Sequence, residues 1–159
     1  MTLEPVDPDE LRHDMLEIIS GLKEDSIRWR FEIEVERHHI GMVSSYYLND
    51  DFEQPPWESI DQDKNADENH CIRAVGIEIC EKDYWGRGIG AKALTAFMDY
   101  YRHLGEHCFL LETWSGNVRM LRCAEKLGFV EVKRKEAAYF VNGKEFDAIV
   151  LEMKEKGYG

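Results

Sequence analysis

Three glycines, Gly86, Gly88 and Gly90, fall within five positions of "YWGRGIGAKAL" (Tyr84–Leu94), between an apolar run and a helix-forming one. No other stretch constrains the fold as tightly. Glycine lets the backbone take positive φ and approach a ligand closely. The first N–H groups of a helix lack an intrahelical partner, so the amides at its start point outward. With the helix dipole they make an anion site, most often for a phosphate. A tight turn with packing glycines is the plain alternative, but a turn needs fewer glycines than stand here.

The flanking segments narrow the architecture. In "IRWRFEIEVE" (Ile27–Glu36) apolar and charged residues alternate, the pattern of a strand with one buried face. A turn is expected at Arg37–His39, then a second, antiparallel strand over "IGMVSSYYL" (Ile40–Leu48). Residues 49–70 are polar and acidic and contain Pro55-Pro56, a long loop that is either functional or a mobile insertion. "CIRAVGIEIC" (Cys71–Cys80) is more continuously apolar, hence a central strand. The helix after the glycines is expected from Gly88 to His103, burying Leu94, Phe97, Met98, Tyr101 and Leu104. "HCFLLETW" (His107–Trp114) reads as another central strand. A second helix begins at Ser115-Gly116-Asn117 and ends at Leu127-Gly128, with Gly128 in the left-handed closing position. Asn142-Gly143 is the type I′ turn of a C-terminal hairpin. Upstream, Leu11, Met15, Ile18, Ile19 and Leu22 have helical spacing. The expectation is one α+β domain over all 159 residues, with a mixed, mostly antiparallel central sheet flanked by helices.

Composition excludes several classes. A net charge of −12 disfavours a nucleic-acid partner and suits a basic one, an amine or a cationic peptide. No run approaches the roughly 20 apolar residues of a membrane helix. The acidic N-terminus lacks a hydrophobic signal core, and the four scattered cysteines form no C-x-x-C pair; a reducing cytoplasm is expected. With no H-E-x-x-H and no paired cysteines, no metal is expected. Cys108 lies in an apolar strand and reads as core rather than nucleophile. Phe52, Trp57 and Trp114 are aromatic candidates for a substrate cleft, although Trp57 more simply packs its loop onto the body.

Which phosphate ligand the loop serves depends on context. Gly86-x-Gly88-x-x-Ala91 formally fits the dinucleotide fingerprint, with Glu112 about 20 residues further on. That fold, however, places the loop after its first strand and continues with parallel strand–helix units, whereas here antiparallel strands precede and a hairpin follows. The P-loop pattern fails because Lys92 is followed by Ala93. "EKDYWGRGIGAKAL" together with "SGNVRMLRCAEKLGF" resembles the GNAT acetyltransferase superfamily. Trp85 occupies the Gln/Arg slot of its cofactor loop, Gly88 and Gly90 are the motif glycines, and Asn117 starts the second helix. Glu125, Lys126, Gly128 and Phe129 complete the second block. Trp85 in that slot and Ala124 in place of Tyr are similar to the RimJ/RimL-type branch, which acetylates protein N-termini.

The resemblance implies acetyl-CoA as co-substrate and an amine acceptor, either a protein N-terminus or a small amine. It implies a sheet splayed between its two central strands, with the pantetheine arm paired to backbone at Ile79-Cys80. Amides of Arg87, Gly88, Ile89, Gly90 and Ala91, beside Trp85, Gly86 and Lys92, are expected at the diphosphate, and Asn117 at the pantetheine arm or the helix start. Arg119, Arg122 and Lys126 share one helix face, which turns either to the phosphates or to solvent. An attacking amine must be neutral, and a carboxylate base would help it lose its proton; Glu78 and Glu112, on the two splayed strands, are the candidates. A backbone amide near Ile79-Cys80 would serve the oxyanion. Two family features are missing. Ala124 and Met120 stand where proton donors for the departing thiolate are usual, leaving Tyr139 as a remote candidate. A non-catalytic acyl-CoA-binding module is therefore the alternative. No strand precedes Ile27 where the family has one, so either the N-terminus is shortened relative to the natural protein or the strand Ile27–Glu36 becomes a free edge, which invites a homodimer or a cover by residues 1–24.

Overall fold

The computed structural model describes residues 26–155. The expected helix over residues 8–24, and the question of a strand before Ile27, lie outside them. Six strands form one sheet in the order β1-β2-β3-β4-β6-β5. They are β1 (Arg30–Val35), β2 (His38–Leu48), β3 (Ile72–Ile79), β4 (Cys108–Trp114), β5 (Val130–Val141) and β6 (Lys144–Lys154). Two α-helices connect the centre, α1 (Ile89–His103) between β3 and β4 and α2 (Val118–Leu127) between β4 and β5. Among the described strands only β3 and β4 run parallel; every other neighbouring pair is antiparallel. This is the mixed, mostly antiparallel α+β sheet that the sequence predicts.

Strand alternation sorts the core into two faces. Val43, Val75, Phe109, Leu111, Ile149 and Leu151 point to the face covered by the helices, where they meet Leu94, Phe97, Met98 and Tyr101 of α1 and Ala124 of α2. The opposite face carries a smaller cluster of Leu48, Ala74, Leu110 and Val150, with Tyr46, Phe52 and Ile72 against it, and among the described residues no helix covers it. Fully burying one such aliphatic side chain contributes about 1.5–3 kcal/mol, so the helix face carries most of the hydrophobic stabilisation.

The first turn differs from the expected Arg37–His39. Glu36 and Arg37 both take positive φ, 51° and 65°, and make a two-residue hairpin, so His38 and His39 open β2. Such a turn prefers Asn and Gly, and nothing in "VERH" announces it. Asn142 and Gly143 form the second hairpin as predicted, at φ 50° and 77°.

The segment 49–70 is tied down. The Asn49 side chain accepts from the amides of Asp51 and Glu53, and the Asn69 amide group donates to three backbone carbonyls. Its deepest anchor is ionic. Arg73 and Glu106, each 1% exposed, form a two-point pair at 2.6 and 2.8 Å, and Glu106 also accepts the Ala66 amide at 2.9 Å. Ser45 and Tyr47 each accept one further guanidinium proton, and the Tyr101 ring lies 3.8 Å beneath. Trp57 does not pack onto the body: it is 71% exposed.

Candidate active site

The parallel ladder between β3 and β4 ends after two pairs, Arg73 with Phe109 and Ala74 with Leu110. From Val75 to Ile79 and from Leu111 to Trp114 the two strands are paired only with their outer neighbours. A Cβ on Gly41 would sit 2.0 Å from the Glu78 carbonyl oxygen, so only glycine lets β2 approach the end of β3 so closely. Antiparallel amides alternate sides, and the Cys80 N–H donates to Ile40 on the β2 side. The N–H and C=O groups of Ile77 and Ile79 therefore face the opening. The Cys80 amide, also expected at the pantetheine arm, bonds the neighbouring strand.

Beside the opening, on the helix face, lies a cleft of about 330 Å³. Its walls hold Ile79, Trp85, Gly86, Gly88, Ile89, Gly90, Ala91 and Asn117, eight of the ten residues expected at the cofactor. Cys80 and Arg87 are not in the wall; Arg87 lies over the Tyr84 ring, 5.5 Å from its centre. Gly86 and Gly88 take φ of 72° and 75°, and Gly88 caps α1. A side chain at either would meet nothing within 4 Å, and at Gly90 only ordinary contacts from 3.7 Å. Packing therefore does not account for the glycines. The turn requires two of them, and the third keeps the mouth of the helix clear.

Three cations, Arg119, Arg122 and Lys126, also line the cleft, and among the described residues no carboxylate does. The Arg119 guanidinium stacks 3.6 Å over the Trp85 ring, while the Trp85 indole N–H donates to the Ile79 carbonyl at 2.8 Å. Asn117 faces inward to its own helix, its side-chain oxygen accepting the Met120 amide at 3.2 Å. Burial pushes the Cys123 thiol up, with Lys126 opposing, so this cleft residue stays a thiol rather than a thiolate. In a protein of net charge −12, a cleft with three cations and no acid fits a polyanion.

The open face of the same parting holds both carboxylates. By register Tyr46, Ala74, Glu78, Leu110, Glu112 and Trp114 project to this side. Glu112 is two residues past the last ladder pair, and the Tyr46 hydroxyl reaches across β3 to donate to it at 2.5 Å. Burial, then the Glu112 carboxylate, holds the Tyr46 phenol well above its ordinary range, so it remains a donor. Glu78 is exposed further toward the mouth, with no such partner among the described residues. Trp114 meets Phe146 edge-on at 4.9 Å, and Phe146 is paired with Tyr139 across the hairpin. The Tyr46–Glu112 contact was not expected; its members are 66 residues apart with no local pattern to join them. Ala124 is fully buried. Cys108 bonds Glu152 and its thiol is pushed up to about 12, first by burial, which removes it as a nucleophile.

A mixed sheet parted between its parallel strands, with a phosphate-type loop on one side and a carboxylate on the other, defines a group-transfer fold. Residues 1–130 match the acetyltransferase (GNAT) domain family, and the chain belongs to that family. It is accordingly an acetyl-CoA-dependent N-acetyltransferase, which moves an acetyl group onto an amine. No curated protein matches the sequence. Among the solved structures it resembles is YncA of Salmonella typhimurium, seen with its cofactor acetyl-CoA, at 16% identity and TM-score 0.63, over 97% of this chain and 77% of that one. A ribosomal-protein-alanine N-acetyltransferase from Brucella melitensis matches at 18% and 0.61, over 98% and 83%. A mutant spermidine N-acetyltransferase from Vibrio cholerae matches at 20% and 0.61, over 92% and 74%. Identities this low speak for the fold. Among the described residues no helix is long and apolar enough to cross a membrane, and no cluster of His, Cys, Asp and Glu could hold a metal.

Proposed function

We propose that the chain works as one acetyltransferase domain in which acetyl-CoA lies in the cation-lined cleft and the amine approaches Glu112 from the open face. The observation that carries this reading is the parting of β3 from β4 beyond Ala74 and Leu110, which leaves an opening between the two sides. Bound acetyl-CoA supplies the thioester carbonyl. The chain's own groups do the rest. Amides at the start of α1 and the row on α2 hold the phosphates. The inward backbone of Ile77 and Ile79 pairs with the pantetheine arm, with the Ile79 amide beside the carbonyl oxygen. Glu112, kept in place by the Tyr46 hydroxyl, takes a proton from the arriving ammonium. Glu78, nearer the mouth, attracts the cation. The acceptor is a primary amine, and the likeness of Trp85 and Ala124 to the RimJ/RimL-type branch, with the Brucella structure, supports a protein N-terminus over a small amine.

Thiol release from acetyl-CoA, measured against a peptide set with varied N-termini and a set of small amines, tests the reading. Turnover with peptides and not with polyamines is expected. Binding of acetyl-CoA without release against any acceptor would instead establish a non-catalytic acyl-CoA-binding module, the alternative that Ala124 and Met120 at the donor positions keep open.

A further inference from the structure

Trp114 is a large apolar side chain that the core does not use. Among the described residues it packs against neither apolar cluster, and the same holds for Phe146 and Tyr139, which stand with it on the open face. Its ring is nonetheless fixed. A Cβ on Gly116 would fall 1.9 Å from one indole carbon and 2.5 Å from two more, so the ring lies directly on the glycine. Gly116 is not one of the glycines with positive φ; the ring, not the backbone, is what requires it. Phe146 of β6 meets the same ring edge-on at 4.9 Å. The turn that carries Gly116 is fastened to β6 as well, the Ser115 amide donating to the Asp147 carbonyl at 3.0 Å and the Asp147 amide to the Ser115 hydroxyl at 2.9 Å. A plate held by two elements and idle in the core has a face to offer a ligand.

The position of the plate identifies that ligand. Trp114 follows Glu112 by two residues on the same side of β4, so their Cα atoms stand roughly 7 Å apart. That is the reach of a side chain from its own amine nitrogen. Across the parting Gly76, like Glu112 two residues past the last ladder pair, presents no side chain, so a group next to the amine has only the β4 side to lean on. On the hairpin side of the plate the open-face charges are positive. Lys135 flanks Ala148 opposite Trp114, and Lys144 stands two residues before Phe146 on the same side. They repel a second ammonium and leave an uncharged apolar group undisturbed. We propose that Trp114, backed by Phe146, reads the side chain of the acceptor's first residue and selects N-termini that begin with a large apolar or aromatic residue over those that begin with glycine or alanine. Trp114 is the specificity-determining residue and Gly116 its positioning residue. The inference rests on the proposed acceptor, a peptide N-terminus whose amine meets Glu112.

Thiol release from acetyl-CoA, measured with short peptides identical but for a first residue of Phe, Leu, Ala or Gly, gives kcat/KM for each, beside a set of small amines. The Phe and Leu peptides are expected to exceed the Gly peptide by about tenfold to a hundredfold, the discrimination that an apolar pocket gives. Trp114→Ala should bring the ratio near one, and Trp114→Phe should keep most of it. Gly116→Ala should narrow the ratio with KM for acetyl-CoA unmoved, because its methyl group displaces the ring. A general loss of packing would not sort peptides by their first residue, and Trp114 lies outside both core clusters, so its variants keep their core. A wild type that turns over all four peptides alike, or prefers Gly and Ala, overturns the inference alone, as does a ratio undiminished in Trp114→Ala. Release with small amines and with no peptide overturns the N-terminal reading, and the inference with it.

Discussion

Gly88 and Gly90 are two residues apart and do different things. Gly88 needs its left-handed φ of 75°, whereas Gly90 has ordinary backbone and room for a methyl group. Gly88→Ala should therefore cost about 1–2 kcal/mol of stability, read from denaturant unfolding. Gly90→Ala should leave stability unchanged and raise KM for acetyl-CoA several-fold, because the methyl group intrudes on the ligand's side. Equal effects of both on unfolding would refute this division. Glu112 and Glu78 divide in a similar way. Glu112→Gln should lower kcat by about 10²- to 10⁴-fold, the usual contribution of a general base, with KM for acetyl-CoA unmoved. Tyr46→Phe should cost less, since the carboxylate remains and only its orientation loosens. Should Glu78→Gln lower kcat as far as Glu112→Gln, the base is not Glu112.

At the scale of elements, the buried pair Arg73–Glu106 links β3, the approach to β4 and the 49–70 segment. Removing one partner leaves an uncompensated buried charge, so Glu106→Gln should destabilise the protein by about 3–5 kcal/mol in urea titration. Replacing both by apolar residues, Arg73→Met with Glu106→Leu, should recover much of that loss, though exchange at the Ala66 amide would still be faster. This network was not legible in the sequence. Its members are 33 residues apart, and a buried ion pair leaves no periodic trace. What was legible is local: the alternation of the strands, the glycine loop, the Asn117 cap, and the closure of α2 by Gly128 at φ 92°, with Phe129 bonding back to Ala124. The two failures follow the same rule. Glu36-Arg37 turns in a conformation those residues rarely choose, imposed by the strands on either side. Gly41 carries no local signal; only the approach of the Glu78 carbonyl shows why it has no side chain. The carboxylates at the opening could be named from their strands, but the Tyr46 hydroxyl that orients one of them is a tertiary contact.

For the molecule as a whole, the tyrosines set the alkaline limit. Burial holds the phenols of Tyr46, Tyr47 and Tyr101 above their ordinary value; Glu112 adds to this at Tyr46, and Arg73 opposes it at the other two. In the unfolded chain a phenol ionises near pH ~10. A raised folded value means that the stabilisation is complete below that pH and is lost as pH climbs through the folded values, because the unfolded state then releases protons the native state retains. Arg73 does not fail first. Burial works against its charge, but the bonds to Glu106 more than offset this and keep its pKa above the ordinary value. Stability should therefore stay level toward pH ~10 and then fall steeply as phenolate becomes the favoured form in the unfolded chain. Followed together by circular dichroism and phenolate absorbance, the share due to three of the seven tyrosines should appear only as the fold is lost, in one cooperative step. A smooth ionisation of all seven with the native spectrum intact would mean that these phenols reach water, and that neither the Arg73 network nor the Tyr46–Glu112 contact is closed in solution.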